Sequence, residues 1–386
     1  MSHGPDLTDE ETLTLPEVEE LHHGEFERIA LIGVGMVGGS VGLALRESGF
    51  RGQITGLDKK DILNEALALG AIDRAVGDLA EVVPSADLVV IATPVLETCK
   101  LLPTILRTAQ SGAIVTDTGG TKAEVCALAE RTKKARGVFI GGHPLTGTAR
   151  TGLANASAEL FTGAHYVLTP LEKTSWHHLE SLKWWVRQLG ALPLVLEPIQ
   201  HDRLIGAISH LPFLLTLTLT EWAGDLAGTS PILSKLAQGD FREMLRLLDG
   251  SYETWDDLLQ TNKEEILKAL KRFRRCLESC EAQLRDGNLM ETFRRAHAFR
   301  SQVLRESAGC WDARSELLIV APDRPGTFAR ITALLADHQI SIRDMRVTYV
   351  RETLGGNLRL VVASPSEALM ALELLRKEGF DARLKE

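Results

Sequence analysis

Residues 28–50, RIALIGVGMVGGSVGLALRESGF, join an apolar run to three glycines spaced G-x-G-x-x-G and then to an apolar segment of helical period. Ile29 to Ile32 has the length and branching of a buried strand. Gly33, Gly35 and Gly38 then mark a tight turn into a helix. The first permits the turn, the second lets backbone approach a pyrophosphate, and the third lets helix and strand pack closely. Asp58 ends the next apolar segment, ITGLD. An acidic residue about 20 positions beyond the glycines accepts hydrogen bonds from ribose hydroxyls and repels a 2′-phosphate. The stretch therefore predicts an NAD site built from Gly33, Gly35, Met36, Val37, Gly38 and Asp58. Lys59 and Lys60 follow Asp58 and leave some use of NADP open.

Working outward, strand-like segments at 86–95, 112–120, 137–147, 163–170 and 192–198 alternate with helical ones. That alternation predicts an α/β domain, a Rossmann-like, doubly wound parallel sheet, over residues 26–199. Thr93 and Pro94 fall at the tip of the third strand, beside the cofactor. From residue 200 to 311 the pattern is helical, which predicts an all-helical domain, and its apolar faces call for a partner in a homodimer. Pro212 is expected to kink or break the helix after His210. Residues 312–386 read β-α-β-β-α-β, the ferredoxin-like α+β order. Residues 1–25 are acidic and polar, the composition of a disordered tail.

The chain has 386 residues, a net charge of −9 and 44% apolar residues. It lacks the basic footprint that nucleic acid or an anionic membrane demands. No uninterrupted apolar run approaches the ~18 residues of a membrane helix, and the N-terminus lacks a signal-peptide pattern. Five scattered cysteines make no disulfide framework and no metal-ligand spacing, so a cytoplasmic protein without a metal is expected.

Three further segments carry chemistry. GGHPLTG (141–147) sets His143 at a strand tip between glycines, where an imidazole can take a proton from a hydroxyl as hydride leaves. HDRLIGAISHLPFLL (201–215) places His201, Asp202 and His210 in an apolar segment, where a satisfied core histidine is the competing reading. FREMLR (241–246) puts Arg242 and Arg246 one helical turn apart. That pair is suited either to a substrate carboxylate or to a solvated charged face.

Together, GVGMVGGS, IATPV, GGHPLTG, FTGAHYVLTP, ISHLP and FREMLR make the chain resemble prephenate dehydrogenase and its arogenate-using relatives. The resemblance implies NAD-dependent oxidative decarboxylation of prephenate to 4-hydroxyphenylpyruvate, in tyrosine biosynthesis. It implies His143 as the catalytic histidine, Arg246 as the clamp on a substrate carboxylate with Arg242 beside it, and a role for His210. Two positions depart from the family pattern. Phe213 stands where the family commonly has a second histidine, which leaves arogenate open as the substrate. Gly120 stands where many members carry a serine, and the adjacent Thr121 is a candidate source of that hydroxyl. The C-terminal segment resembles an ACT domain. Asp323, Pro325 and Gly326 in its loop and Asp344 on a following strand are the implied effector contacts, with tyrosine the implied effector. Two other readings compete. A β-hydroxyacid dehydrogenase needs a lysine pattern that residues 200–264 lack. A catalytically impaired NAD- and amino-acid-sensing protein has only Gly120 and Phe213 in its support.

Overall fold

The Ile29–Ile32 run lies in β1 (Arg28–Ile32), at the interior of an eight-stranded sheet. The spatial order is β3 (Arg74–Val76), β2 (Gln53–Leu57), β1, β4 (Leu88–Ile91), β5 (Ile114–Asp117), β6 (Val138–Pro144), β7 (His165–Pro170) and β8 (Leu192–Val195). The computed structural model describes residues 26–146, 150–230, 232–307, 316–322, 324–351 and 355–384. The tail 1–25 and Asp323 lie outside the described residues. Strand residues alternate between two apolar layers. Ile29, Leu31, Leu88 and Val90 face one, and Ala30, Ile32, Val89 and Ile91 face the other. A sheet buried on both faces needs such strands, and helices α1 (Met36–Glu47), α2 (Lys60–Ala68), α3 (Val95–Thr108), α4 (Ala123–Arg131) and α5 (Trp176–Gln188) belong to the same segment.

The sheet differs from the expected one in two respects. It includes the short strand β3, whose sequence is too brief to read as an element. It also holds one antiparallel pair, β6 with β7, in which His143 lies opposite Val167. A parallel return needs a crossover of a dozen residues or more, usually helical. Between β6 and β7 the described chain forms only two 3₁₀ turns, Leu153–Asn155 and Ala158–Phe161. It therefore comes back antiparallel. The order β3-β2-β1-β4-β5 reverses direction at β1/β4, and ligands bind at the carboxyl ends of such a switch point.

Beyond β8 the chain is helical: α6 (Pro198–Ile205), α7 (Leu211–Thr229), α8 (Leu233–Leu236), α9 (Asp240–Leu245), α10 (Tyr252–Thr261), α11 (Lys263–Arg285) and α12 (Met290–Ser307). Pro212 does not break the helix. A π turn, Gly206–His210, joins α6 to α7 and carries the chain through the proline. A widened turn is a usual way to absorb the ring and the missing N–H. The continuous helix Pro198–Thr229 is long and apolar enough to cross a membrane by length and composition, although charged residues interrupt its apolar run. Its polar residues His201, Asp202 and His210 are nonetheless buried in protein.

The chain divides into two compact units within α11, after Cys276. Texture alone set a boundary near residue 311. In the second unit, β9 (Glu316–Ala321), α13 (Thr327–Asp337), β10 (Ile342–Arg351), β11 (Gly355–Val362), α14 (Pro365–Lys377) and β12 (Asp381–Leu384) follow the expected β-α-β-β-α-β order. Its sheet order, β10-β11-β9-β12, is wholly antiparallel.

The glycines of the first turn separate packing from binding. Gly33 has φ +88°, and a Cβ on it would meet the Ala92 carbonyl oxygen at 2.8 Å. A Cβ on Gly38 would stand 2.0 Å from the Gly33 carbonyl oxygen, whereas one on Gly35 would meet no protein atom within 4 Å. Gly38→Ala is therefore expected to cost about 3 kcal/mol of stability through overpacking. Gly35→Ala should leave Tm unchanged and weaken NAD+ binding. Thermal unfolding with and without NAD+ checks both.

Candidate functional site

The turn after β1 presents backbone to a ligand. Helix α1 begins after Gly35 with no side-chain cap, so its first N–H groups and the positive end of its dipole remain available to an anion. Asp58 is fixed beside the turn, because its Oδ2 accepts from the Val34 N–H at 2.7 Å and its Oδ1 from the Lys59 N–H at 2.6 Å. Met36 is buried and Val37 half-buried in the first turn of α1. Thr93, whose hydroxyl bonds that of Thr98 at 2.9 Å, and the exposed Pro94 follow β4. The predicted cofactor residues therefore surround one switch point. The opening at Gly35 and the uncapped helix fit a dinucleotide pyrophosphate.

His143 sits on β6 at the carboxyl edge of the same sheet. Its Nδ1 lies 2.9 Å from Nε2 of His201, and His201 Nδ1 lies 2.7 Å from Oδ1 of Asp202. His201 and Asp202 are buried on α6. Asp202 also accepts from the Lys122 N–H at 2.7 Å (Oδ1) and the Ala123 N–H at 2.8 Å (Oδ2). Helix α4 has no cap from its own flanking residue, so this carboxylate caps it from 79 residues away. Burial, with His201, Lys122 and His210 nearby, holds the His143 imidazole well below its usual range. It is therefore a neutral base at neutral pH.

Beneath His143 lies a buried ion pair. The Lys122 ammonium donates to the Asp117 carboxylate and to the Gly142 carbonyl oxygen, the latter at 2.7 Å. Asp117 in turn accepts from the Gly119 N–H at 2.9 Å and the Gly142 N–H at 3.1 Å. Buried charges persist only when paired and hydrogen-bonded in this way. The pair ties the loop after β5 to the strand that carries His143.

His210 is buried, and its Nδ1 lies 3.1 Å from Asn262 Nδ2, which also donates to the Asp202 carbonyl oxygen at 2.8 Å. Burial lowers its pKa to about 4. Phe213 stacks on Trp255, with ring centroids 3.7 Å apart and planes 11° apart. Trp255 also meets the His210 ring edge-on at 6.2 Å. Gly120 faces the catalytic candidate, since a Cβ there would lie 3.8 Å from His143 Nε2 and 2.8 Å from Leu258 Cδ2. The Leu258 side chain from α10 thus occupies the space beside Gly120. Thr121 does not supply a replacement hydroxyl to His143. Its Oγ1 donates to Thr261 Oγ1 at 2.7 Å, because Thr261 in turn donates to the Asp257 carbonyl oxygen. Asp257 also caps α3 by accepting from the Leu96 N–H at 3.1 Å.

Arg246 begins a 3₁₀ turn after α9 with its side chain 78% exposed, and its ion-pair partner is Glu243 at 3.8 Å. Arg242 is exposed on α9. Arg246 caps α9 with helical backbone angles and carries the chain on into the 3₁₀ turn. In the second unit, Gly326 has φ +86° and precedes α13, Pro325 is exposed beside it, and Asp344 is half-buried on β10. The sequence reading assigned no role to His201, Asp202, Asn262, Trp255 or Leu258. Only the paired polar residues 201 and 202 in an apolar segment marked the first two.

Comparison with known proteins gives the chain its relatives. Residues 41–194 match the nucleotide-binding domain of prephenate dehydrogenase, 197–297 its dimerization domain, and 315–378 the ACT domain. Prephenate dehydrogenase of Bacillus subtilis is 32% identical over 350 residues, covering 88% of this chain and 93% of that protein. The structure of prephenate dehydrogenase from Aquifex aeolicus with hydroxyphenyl propionate and NAD+ is 26% identical, with a TM-score of 0.64. The match covers 72% of this chain and 98% of that one. Synechocystis arogenate dehydrogenase is 27% identical with a TM-score of 0.61, covering 73% of this chain and 99% of that one.

The two depressed imidazoles make stability depend on pH. Their contribution is complete above the unfolded histidine value of about 6.5 and is lost as pH falls toward the folded value, about 4 for His210. Between pH 6.5 and 5, His210 alone accounts for about 2 kcal/mol. The Tm of the wild type should therefore fall more between pH 7 and pH 5 than that of His210→Gln, each variant referred to its own value at pH 7.

Proposed function

The chain belongs to the prephenate dehydrogenase family, and from that premise and the site geometry we propose how its residues work and what they act on. The reaction is NAD-dependent oxidation and decarboxylation of prephenate to 4-hydroxyphenylpyruvate. The observation that carries the reading is the His143–His201–Asp202 chain at the strand tip beside the Gly35 cradle. NAD+, when bound, supplies the hydride acceptor. Gly35, Met36, Val37, Thr93 and Pro94 would hold it at the turn that Gly33 and Gly38 shape, and Asp58 would receive the ribose hydroxyls.

His143 takes the proton of the ring hydroxyl as that carbon gives up hydride and its C–O becomes a carbonyl. The bond from the ring to its carboxylate then breaks, carbon dioxide leaves, and the electron pair enters the ring. The oxygen becomes a phenol by reclaiming the proton from His143. Aromatisation supplies much of the driving force, so the protein contributes mainly orientation and proton placement. His210 and the Phe213–Trp255 stack wall the substrate, and Arg246, with Arg242 beside it, reaches its carboxylate. Thr121 holds its loop through Thr261.

We divide the functions as cofactor binding in 26–199, dimerisation and substrate binding in 200–311, and amino-acid binding in 312–386. The dimerization-domain match supports a homodimer, and Ile208, Leu217, Trp222 and Leu226 on the Pro198–Thr229 helix expose the apolar surface a partner protomer would cover. The effector of the ACT domain is tyrosine, received at Asp323, Pro325, Gly326 and Asp344, and the enzyme acts in the cytoplasm.

Phe213 favours a second reading, arogenate as substrate, because it can neither donate nor accept a hydrogen bond and is held against Trp255. Initial rates of NADH formation with each compound decide between them. Activity on prephenate is expected, and activity on arogenate alone would make arogenate the substrate. Tyrosine should inhibit the wild type, and Asp344→Ala should relieve that inhibition without lowering the uninhibited rate. Inhibition that survives the substitution would place tyrosine elsewhere.

A further inference from the structure

A half-buried histidine in contact with a buried one raises the question of which ring nitrogens carry protons. The His143–His201 contact joins nitrogen to nitrogen, so one partner donates and the other accepts. Asp202 settles the orientation. Its two oxygens already accept from the Lys122 and Ala123 N–H groups, as an ionised carboxylate does, so it offers His201 only an acceptor. His201 Nδ1 therefore carries a proton. The ring is fully buried, and the Lys122 ammonium and the His143 and His210 rings share its interior. The Asp202 charge is already met by two N–H groups at the start of α4, so a cationic ring would add a second buried positive charge beside Lys122. A neutral His201 with its proton on Nδ1 has a lone pair on Nε2.

We propose that His201 is a positioning residue that accepts the Nδ1 proton of His143 and so leaves His143 Nε2 unprotonated as the base. This deepens the reading of His143 as the base and rests on it. Nε2 is the nitrogen that faces Gly120, the glycine that leaves the base uncovered by any side chain of its own. When Nε2 takes the substrate proton, the imidazolium keeps its Nδ1–H bond to His201, and the His201 Nδ1–H stays on the Asp202 carboxylate. No other proton moves. Asp202 acts at one remove, by fixing the tautomer of a ring that fixes the tautomer of another.

The experiment has two arms on the full-length protein. The first is long-range ¹H–¹⁵N correlation spectroscopy of ¹⁵N-histidine-labelled enzyme, with His143 assigned by its loss in His143→Asn. The expected spectrum has a protonated Nδ1 and an unprotonated Nε2. A proton on Nε2 would overturn the proposal. This arm needs no substrate, so it stands even if the enzyme oxidises neither prephenate nor arogenate. The second arm compares His201→Leu with His201→Gln, whose side-chain carbonyl can accept from His143 Nδ1. His201→Leu should lower kcat about 10- to 100-fold with KM for substrate and NAD+ within about 2-fold. His201→Gln should recover most of that loss. Equal kcat in the two variants, at equal Tm, would assign His201 to packing and overturn the proposal.

Discussion

One carboxylate, that of Asp202, holds the site together. It accepts three hydrogen bonds, from the Lys122 and Ala123 N–H groups and from His201. The first two cap α4 in the nucleotide-binding segment, and the third orients the histidine that touches His143. A helix N-terminus favours a negative charge, and two of its N–H groups meet this carboxylate. Because Asp202 lies on α6 and its partners on α4, the bond also fixes the helical segment against the sheet. Packing, charge and catalytic geometry meet at this residue. Its loss would leave two backbone donors and one imidazole unsatisfied in the interior.

The two departures from the family pattern share an explanation in α10. That helix brings Leu258 beside Gly120 and Trp255 onto Phe213. A serine at position 120 would have to displace the Leu258 side chain, and a histidine at position 213 would replace a close aromatic stack. The same helix contributes Asp257, which caps α3, and Thr261, which receives the Thr121 hydroxyl. The site is thus consistent within itself. It offers fewer polar side chains beside His143 than one with a serine and a second histidine would. That internal agreement counts against a decayed, merely sensing protein.

What the sequence made legible follows the range of the interactions involved. The Gly33–Gly38 turn, Asp58 and His143 are local features: a glycine spacing, a strand end, a strand tip. Each was readable because the rule that places it spans a few residues or one βαβ unit. The ferredoxin-like order of the last 70 or so residues was readable for the same reason. Other features depend on partners far away in the chain. Asp202 meets Lys122 from 80 residues away, and Asp257 meets Leu96 from 161. No periodicity reports such a pairing. The antiparallel return of β7 was likewise hidden, because it depends on the absence of a crossover helix rather than on the strand itself. The change from α9 to a 3₁₀ turn at Arg246 was not readable from the spacing of Arg242 and Arg246. The proline at 212 misled for a local reason, since a π turn before it absorbs what an α turn could not.

The central claim is that His143 moves the proton while the rest of the site holds it in place. Steady-state turnover of His143→Asn with prephenate, alongside direct titration of NAD+ and substrate binding, tests it most directly. The account predicts that turnover falls about 100-fold or more while both affinities stay within a few-fold. Near-normal turnover would contradict it and move the base elsewhere in the site.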